Sequence, residues 1–174
     1  MAPSNLPEPA NLRQAWAEYI IGLPNITGAP FEYWGTLTYQ DHAEIPRGHV
    51  EDIVARRFRY FTGEINKRIY GKRWIRSGKG VWGAIATEKL LDYPHHHFIM
   101  GGDGLRTNLR RLDLMDMWEK ISSMWSKEKV GGWARCQDYR GEAGARYIVK
   151  YVGKGGQVDV FAGSQLRDRL KLKA

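Results

Sequence analysis

Cysteine is nearly absent. Cys136 stands alone among 174 residues, which excludes an internal disulfide and any zinc cluster of the Cys-x-x-Cys kind and suits a reducing cytosol. Long apolar runs are missing too. No stretch approaches the roughly 18 apolar residues of a membrane span, and Met1 to Pro9 has no basic start followed by an apolar stretch, so a soluble, cytoplasmic protein with no membrane partner is expected. There is no internal repeat, no low-complexity tract and no Gly-x-x-x-x-Gly-Lys-Ser/Thr phosphate loop; an ATP-driven helicase is therefore not encoded in these residues. Acidic residues fall short of basic ones, 19 against 27, for a formal net charge of +8 and a pI near 9.6.

The basic excess is scattered among seven Trp and nine Tyr rather than gathered in a tail. That mixture suits a groove that neutralises phosphates and stacks bases, although a basic surface serves solubility equally well. The length accommodates one domain with a real core and short extensions.

Residues Met1 to Pro9 hold three of the seven prolines and read as an irregular arm. A short helix is expected over Asn11 to Ile21, broken by Gly22 to Pro30. Phe31 to Tyr39, aromatic and Thr-rich, reads as a strand. From His49 to about Tyr70, Val50, Ile53, Val54, Phe58, Phe61, Ile65 and Ile69 follow helical spacing, with Arg56, Arg57, Arg59, Lys67 and Arg68 mostly on other faces. The loop Gly71 to Gly80 carries Lys72, Arg73, Arg76 and Lys79, a segment able to fold over a phosphate backbone or to serve as a solvated connection. Strands over Val81 to Glu88 and from His95 through Met100 follow, then a helix from about Arg111 to Lys127. A strand over Trp133 to Tyr139 puts Arg135 and Gln137 on one face, a helix runs from Gly144 to about Lys154, and the tail holds one further strand, Val158 to Phe161. This order implies an α+β fold, an antiparallel sheet with helices packed on one face in ferredoxin-like fashion and the other face free for a ligand.

The histidine strand carries the first candidate chemistry. Side chains alternate along a strand, so His95 and His97 share a face and His96 takes the other. If Leu90 to Pro94 form a turn, Glu88 ends one strand beside the start of the next, and two imidazoles with one carboxylate can bind a divalent ion with positions left open.

The second lies in Arg146-Tyr147-Ile148-Val149-Lys150-Tyr151-Val152-Gly153-Lys154. On a helix, Tyr147, Lys150, Tyr151 and Lys154 fall within one arc of about 100° while Ile148, Val149 and Val152 fall elsewhere. Tyrosines at helical spacing usually pack a core. Here each is followed three positions later by a lysine on the same face, and an ammonium beside a phenol stabilises the phenolate and the charge that develops on a transferring phosphoryl group.

Pro94-His95-His96-His97-Phe98-Ile99-Met100 resembles the His-hydrophobe-His motif of HUH endonucleases, and Phe31 to Tyr39, ending Thr-Leu-Thr-Tyr, is similar to their first conserved strand motif. Tyr147-x-x-Lys150-Tyr151-x-x-Lys154 resembles the doubled tyrosine motif of rolling-circle replication initiators of the two-tyrosine class, found in phages and plasmids. The resemblance spans about residues 31 to 156 and implies an HUH endonuclease domain over 26–156, between an arm and short helix over 1–25 and an extension over 157–174. It departs from the family at His96, where a hydrophobic residue is normal. It implies Tyr147 and Tyr151 as nucleophiles assisted by Lys150 and Lys154, and Mn2+ or Mg2+ held by Glu88, His95 and His97. DNA contacts would come from Lys72, Arg73, Arg76, Lys79 and Arg135. The activity implied is nicking and rejoining of single-stranded DNA at an origin, a hairpin form included, through a 5′-phosphotyrosine link and a free 3′-hydroxyl. Host helicase and polymerase would then be partners. Two other readings stay open: a transposase or relaxase of the same superfamily, and a non-catalytic nucleic-acid-binding domain on the same fold. An iron oxygenase with two His and one carboxylate would leave the tyrosine-lysine helix without a role.

Overall fold

The computed structural model describes residues 9–40, 44–46, 49–88, 93–127, 131–152 and 156–162. Five strands make one antiparallel sheet: β1 Phe31–Thr38, β2 Trp82–Glu88, β3 His95–Gly101, β4 Ala134–Asp138 and β5 Gln157–Phe161, in the order β4-β1-β3-β2-β5. The α+β class, the antiparallel sheet and the packed helices agree with expectation. β1 alternates buried and half-buried positions, as a strand with one core face should. The central strand β3 is buried along nearly its whole length.

The helices α2 (Val50–Tyr70) and α5 (Arg111–Ser123) cover one face. Val54, Phe58, Phe61 and Ile65 of α2 meet Leu114, Trp118 and Ile121 of α5 over Tyr33, Leu37, Phe98 and Met100 of the sheet. Arg57, expected on the outer side of α2, is instead buried, its guanidinium 4.9 Å from the Trp125 ring centroid. Such stacking lets a weakly hydrated guanidinium lie against apolar neighbours. Two short helices, α3 (Trp74–Ser77) and α4 (Leu105–Asn108), lie in connections.

The opposite face, expected to be free, is half covered. The helix α1 runs Pro9–Thr27, through Gly22 and Pro24 where a break was expected, and ends at Gly28 with φ of 74°. A proline inside a helix costs about 3 kcal/mol and a glycine about 1. Burial of Ile20 and Leu23, both fully enclosed against the sheet, returns about 1.5–3 kcal/mol each, enough to carry the helix past both. Alongside it α6 (Ala143–Val149) packs on β2 and β3. Together α1 and α6 enclose Trp82, Ala84, Ala86 and Ile99 in a second core. Among the described residues, the β1 and β4 side of this face stays open.

Both flanks contribute to this one body. β5 pairs along β2, so residues 157–161 of the expected extension form an edge of the sheet, and α1 belongs to the second core. A register shift between Phe31 and Tyr33 sends Phe31 into that second core and Tyr33 into the first, as a bulge re-aims side chains. No described helix is long and apolar enough to cross a membrane.

Candidate metal centre and its groove

The β2–β3 register sets Glu88 directly opposite His95, and Ala86 opposite His97. Glu88, His95 and His97 therefore share the α6 face at one end of the sheet. Glu88 Oε1 contacts His95 Nε2 and lies 3.1 Å from His97 Nε2; the three ligating atoms are all within 4.8 Å of one another. The other ring nitrogens are occupied. His95 Nδ1 faces the Tyr93 carbonyl at 2.9 Å, and His97 Nδ1 faces Thr36 Oγ1 at 2.9 Å. With the proton on Nε2 a ring donates to Glu88; with the proton on Nδ1, held by these outer acceptors, it would offer its Nε2 lone pair to a metal ion, the arrangement that orients metal-ligating imidazoles. This donor set could hold a divalent ion and leave coordination positions open.

The electrostatics agree. Burial holds the His97 imidazole below its ordinary pKa, against the raising effect of Glu88, so the ring is kept neutral and able to ligate. Burial alone would raise the Glu88 carboxyl, but hydrogen bonds from His97 and His95 and their electrostatic attraction outweigh it and hold the group below its ordinary value. His96 points the other way, as strand alternation requires. Its Nδ1 is 2.8 Å from Thr87 Oγ1 and its Nε2 is 3.3 Å from the Val54 carbonyl, and the ring stands edge-on to Tyr39 and Phe58. Burial pushes its pKa down to about 3. His96 is a neutral polar plug joining the sheet to α2.

The tyrosine helix is shorter than expected. α6 stops at Val149, and residues Lys150 to Val152 continue in a tighter turn with bonds to the third residue back, such as Val152 N–H to the Val149 carbonyl at 3.0 Å. Lys154 lies outside the described residues. The turn still brings the phenols together: Tyr151 Oη donates to Tyr147 Oη at 3.1 Å. Tyr151 also stacks on the His97 ring, centroids 5.1 Å apart and planes 6° from parallel, with its hydroxyl 3.1 Å from His97 Nε2. Lys150 Nζ sits 3.5 Å from the Tyr147 ring centroid and 4.6 Å from that of Tyr151. The ammonium thus lies over both ring faces, a cation–π contact. Burial, the hydrogen bond with Tyr147 and the nearby Glu88 carboxylate raise the Tyr151 phenol above its ordinary value. Tyr151 is buried and Tyr147 half-buried.

Beside Tyr147 the uncovered β1 and β4 strands form the floor of a cleft of about 580 Å3, lined by Trp34, Arg111, Gln137, Asp138, Arg140 and Tyr147. It adjoins a smaller hollow of about 140 Å3 that reaches Thr36 and Arg135. Arg135 pairs across from Thr36 and is exposed on this face, so the structure brings it to the site. Lys72, Arg73, Arg76 and Lys79 are not brought there. They precede the Trp82 end of β2, while Glu88 is at its other end, about 20 Å away along a seven-residue strand. Trp34, Gln137, Arg111 and Arg140 did not stand out from the sequence as site residues. Alternation with Thr36 and Arg135 marks the first two, whereas Arg111 begins α5, Arg140 follows β4, and no local pattern links them. No family model, no curated protein and no solved structure matches the chain.

Proposed function

We propose that the protein cleaves and rejoins single-stranded DNA at a replication origin by transesterification, with Tyr147 and Tyr151 as nucleophiles. The observation that carries this reading is the Tyr151 hydroxyl 3.1 Å from His97 Nε2, within a Glu88–His95–His97 cluster. A phenol is a poor nucleophile while it keeps its proton, and positive charge close by is what favours the phenolate. Lys150, over both rings, supplies one such charge. A divalent ion held by Glu88, His95 and His97 would supply another and polarise a phosphate oxygen. Two imidazoles with one carboxylate suit Mn2+ better than Mg2+, which prefers oxygen shells.

In the reaction a phenol oxygen bonds to phosphorus as the bond from phosphorus to the 3′ oxygen breaks. The phenol proton is lost, and the departing 3′ oxygen takes one up to become a free hydroxyl that can prime synthesis. The phosphotyrosine is itself a phosphodiester, so attack by a later hydroxyl reverses the step and rejoins the strand without ATP. The second tyrosine allows a second cleavage while the first end is held. The basic, aromatic groove beside Tyr147 supports a single strand as substrate.

The test is incubation with a randomised single-stranded library and Mn2+, followed by denaturing electrophoresis. A covalent protein–DNA adduct is expected, dependent on the metal and absent from the variant lacking both phenols. Metal-independent binding with no adduct would instead make this a nucleic-acid-binding domain without chemistry.

A further inference from the structure

The cleft between β4, the start of α5 and α6 lies beside the metal cluster, shares Tyr147 with it and has its own chemistry. Its volume of about 580 Å3 lies within the range of small-ligand sites. One wall is aromatic: Trp34 and Tyr147 stand edge to face, centroids 6.1 Å apart, and Trp34 is only half-buried. The floor is polar. In the amide orientation that satisfies both groups, Gln137 Oε1 accepts from Arg135 Nη2 and Nε at 2.6 and 2.8 Å. That commits its oxygen to the guanidinium and turns its amide N–H groups, as donors, toward the acceptor side. The rim is cationic. Asp138 would repel an anion, but Arg106 at 2.8 Å and Arg111 at 3.8 Å neutralise it, and Arg140 is exposed beside it.

An aromatic face, an amide whose orientation is pinned by a neighbouring guanidinium, and arginines at the edge match the parts of one nucleotide: a base to stack, a base edge to read and a phosphate to hold. The partners of Gln137 matter here, because an amide free to turn could donate or accept with equal ease. Held by Arg135, it offers donors only, so it favours a base that presents an acceptor.

We propose that this cleft is a base-reading pocket that takes one unpaired nucleobase of the DNA strand beside the nucleotide under attack, stacked on Trp34 and read by Gln137. This rests on the reading of single-stranded DNA as substrate, and it adds how a position along the strand is chosen.

The experiment is done in EDTA, so that binding is read without cleavage. Single-stranded 12-mers carrying 5-iododeoxyuridine at one position are irradiated with the full chain and the cross-linked residue is mapped, alongside affinity measurements on a randomised 12-mer set. Cross-links at Trp34 are expected. Trp34→Ala should weaken binding about tenfold, the loss of one stacked base, with Trp34→Phe recovering most of it. Gln137→Ala should fold normally and flatten base preference at a single position. Cross-links that never map to Trp34, or a Gln137→Ala variant with the wild-type base preference, would overturn the pocket. Its failure is distinguishable from failure of the nuclease reading. A protein that forms the metal-dependent adduct while Trp34→Ala and Gln137→Ala bind every sequence as wild type does has the chemistry and lacks the pocket. Trp34 cross-links and base preference without an adduct would mean the reverse.

Discussion

Tyr151 lies flat against His97, their planes 6° apart, with its hydroxyl 3.1 Å from the ring nitrogen that faces Glu88. Tyr147 accepts from the Tyr151 hydroxyl, stands edge-on to His97 and opens onto the groove beside Trp34. The two phenols are one turn apart in sequence, yet one is at the candidate metal site and the other at its mouth.

This asymmetry sets the expected outcome of phenol removal. Tyr147→Phe and Tyr151→Phe should each still form some adduct, and the double variant none. The Tyr151→Phe loss should be the larger, up to about tenfold, since that hydroxyl contacts the ligand ring with a hydrogen bond worth about 0.5–1.5 kcal/mol. Both single variants should fail at strand transfer that needs a second cleavage. Peptide mapping of the adduct checks this; DNA on one tyrosine only, with the other replaceable at no loss of transfer, would make the second phenol structural.

Metal binding should separate the three histidines. His95→Ala and His97→Ala should abolish Mn2+ binding measured by calorimetry, and with it the rise in melting temperature. A site saturated at about 100 times its dissociation constant stabilises the fold by about 2.7 kcal/mol. His96→Leu should bind Mn2+ as wild type does, yet melt lower. It leaves Thr87 Oγ1 without its buried partner, at about 1–3 kcal/mol, while the Val54 carbonyl keeps the bond from Tyr39 Oη. Equal loss of metal in all three variants would show the ligand set to be wrong.

Stability should fall with acid, and the sign follows from the shifts. His96 is depressed to about 3 by burial, and burial depresses His97 in the same direction. Each binds a proton more readily when unfolded, near the ordinary value of about 6.5, than when folded. Stability is therefore complete above about pH 6.5 and declines as pH drops toward the folded values, on the order of a few kcal/mol in all. Glu88, held below its ordinary value, adds a further loss only as pH falls below the usual carboxylate range. Melting temperatures from pH 7 to pH 4 check this, and His96→Leu should flatten the slope between them.

Salt dependence should identify which basic residues meet DNA. Replacing Arg140 with Ala should weaken metal-free binding across all sequences and reduce the slope of log affinity against log salt by about 1; Arg135→Ala should reduce the slope likewise and also relax the base preference, since it frees the Gln137 amide. Removal of both phenols should leave that slope unchanged. If Lys72→Ala and Arg73→Ala lower the slope and the groove arginines do not, the strand runs past the far end of β2.

The sequence by itself determined what a strand or a helix dictates within its own length. Alternation placed His95 and His97 on one face and His96 on the other, a short hairpin set Glu88 beside them, and helical spacing aligned Tyr147 with Tyr151 closely enough that even an early end to α6 left their hydroxyls 3.1 Å apart. Tertiary packing decided the rest, because its terms are summed over residues far apart in the chain. Burial of Ile20 and Leu23 drives α1 through Gly22 and Pro24, against local propensity, and closes half of the sheet face that alternation left open. The basic loop carrying Lys72 and Arg73 is near Glu88 in sequence, but β2 runs away from it and separates the two by a strand length. Arg111 and Arg140 are far apart in sequence from Trp34, and they meet beside Tyr147 only because β4 lies along β1 and α5 starts at its edge.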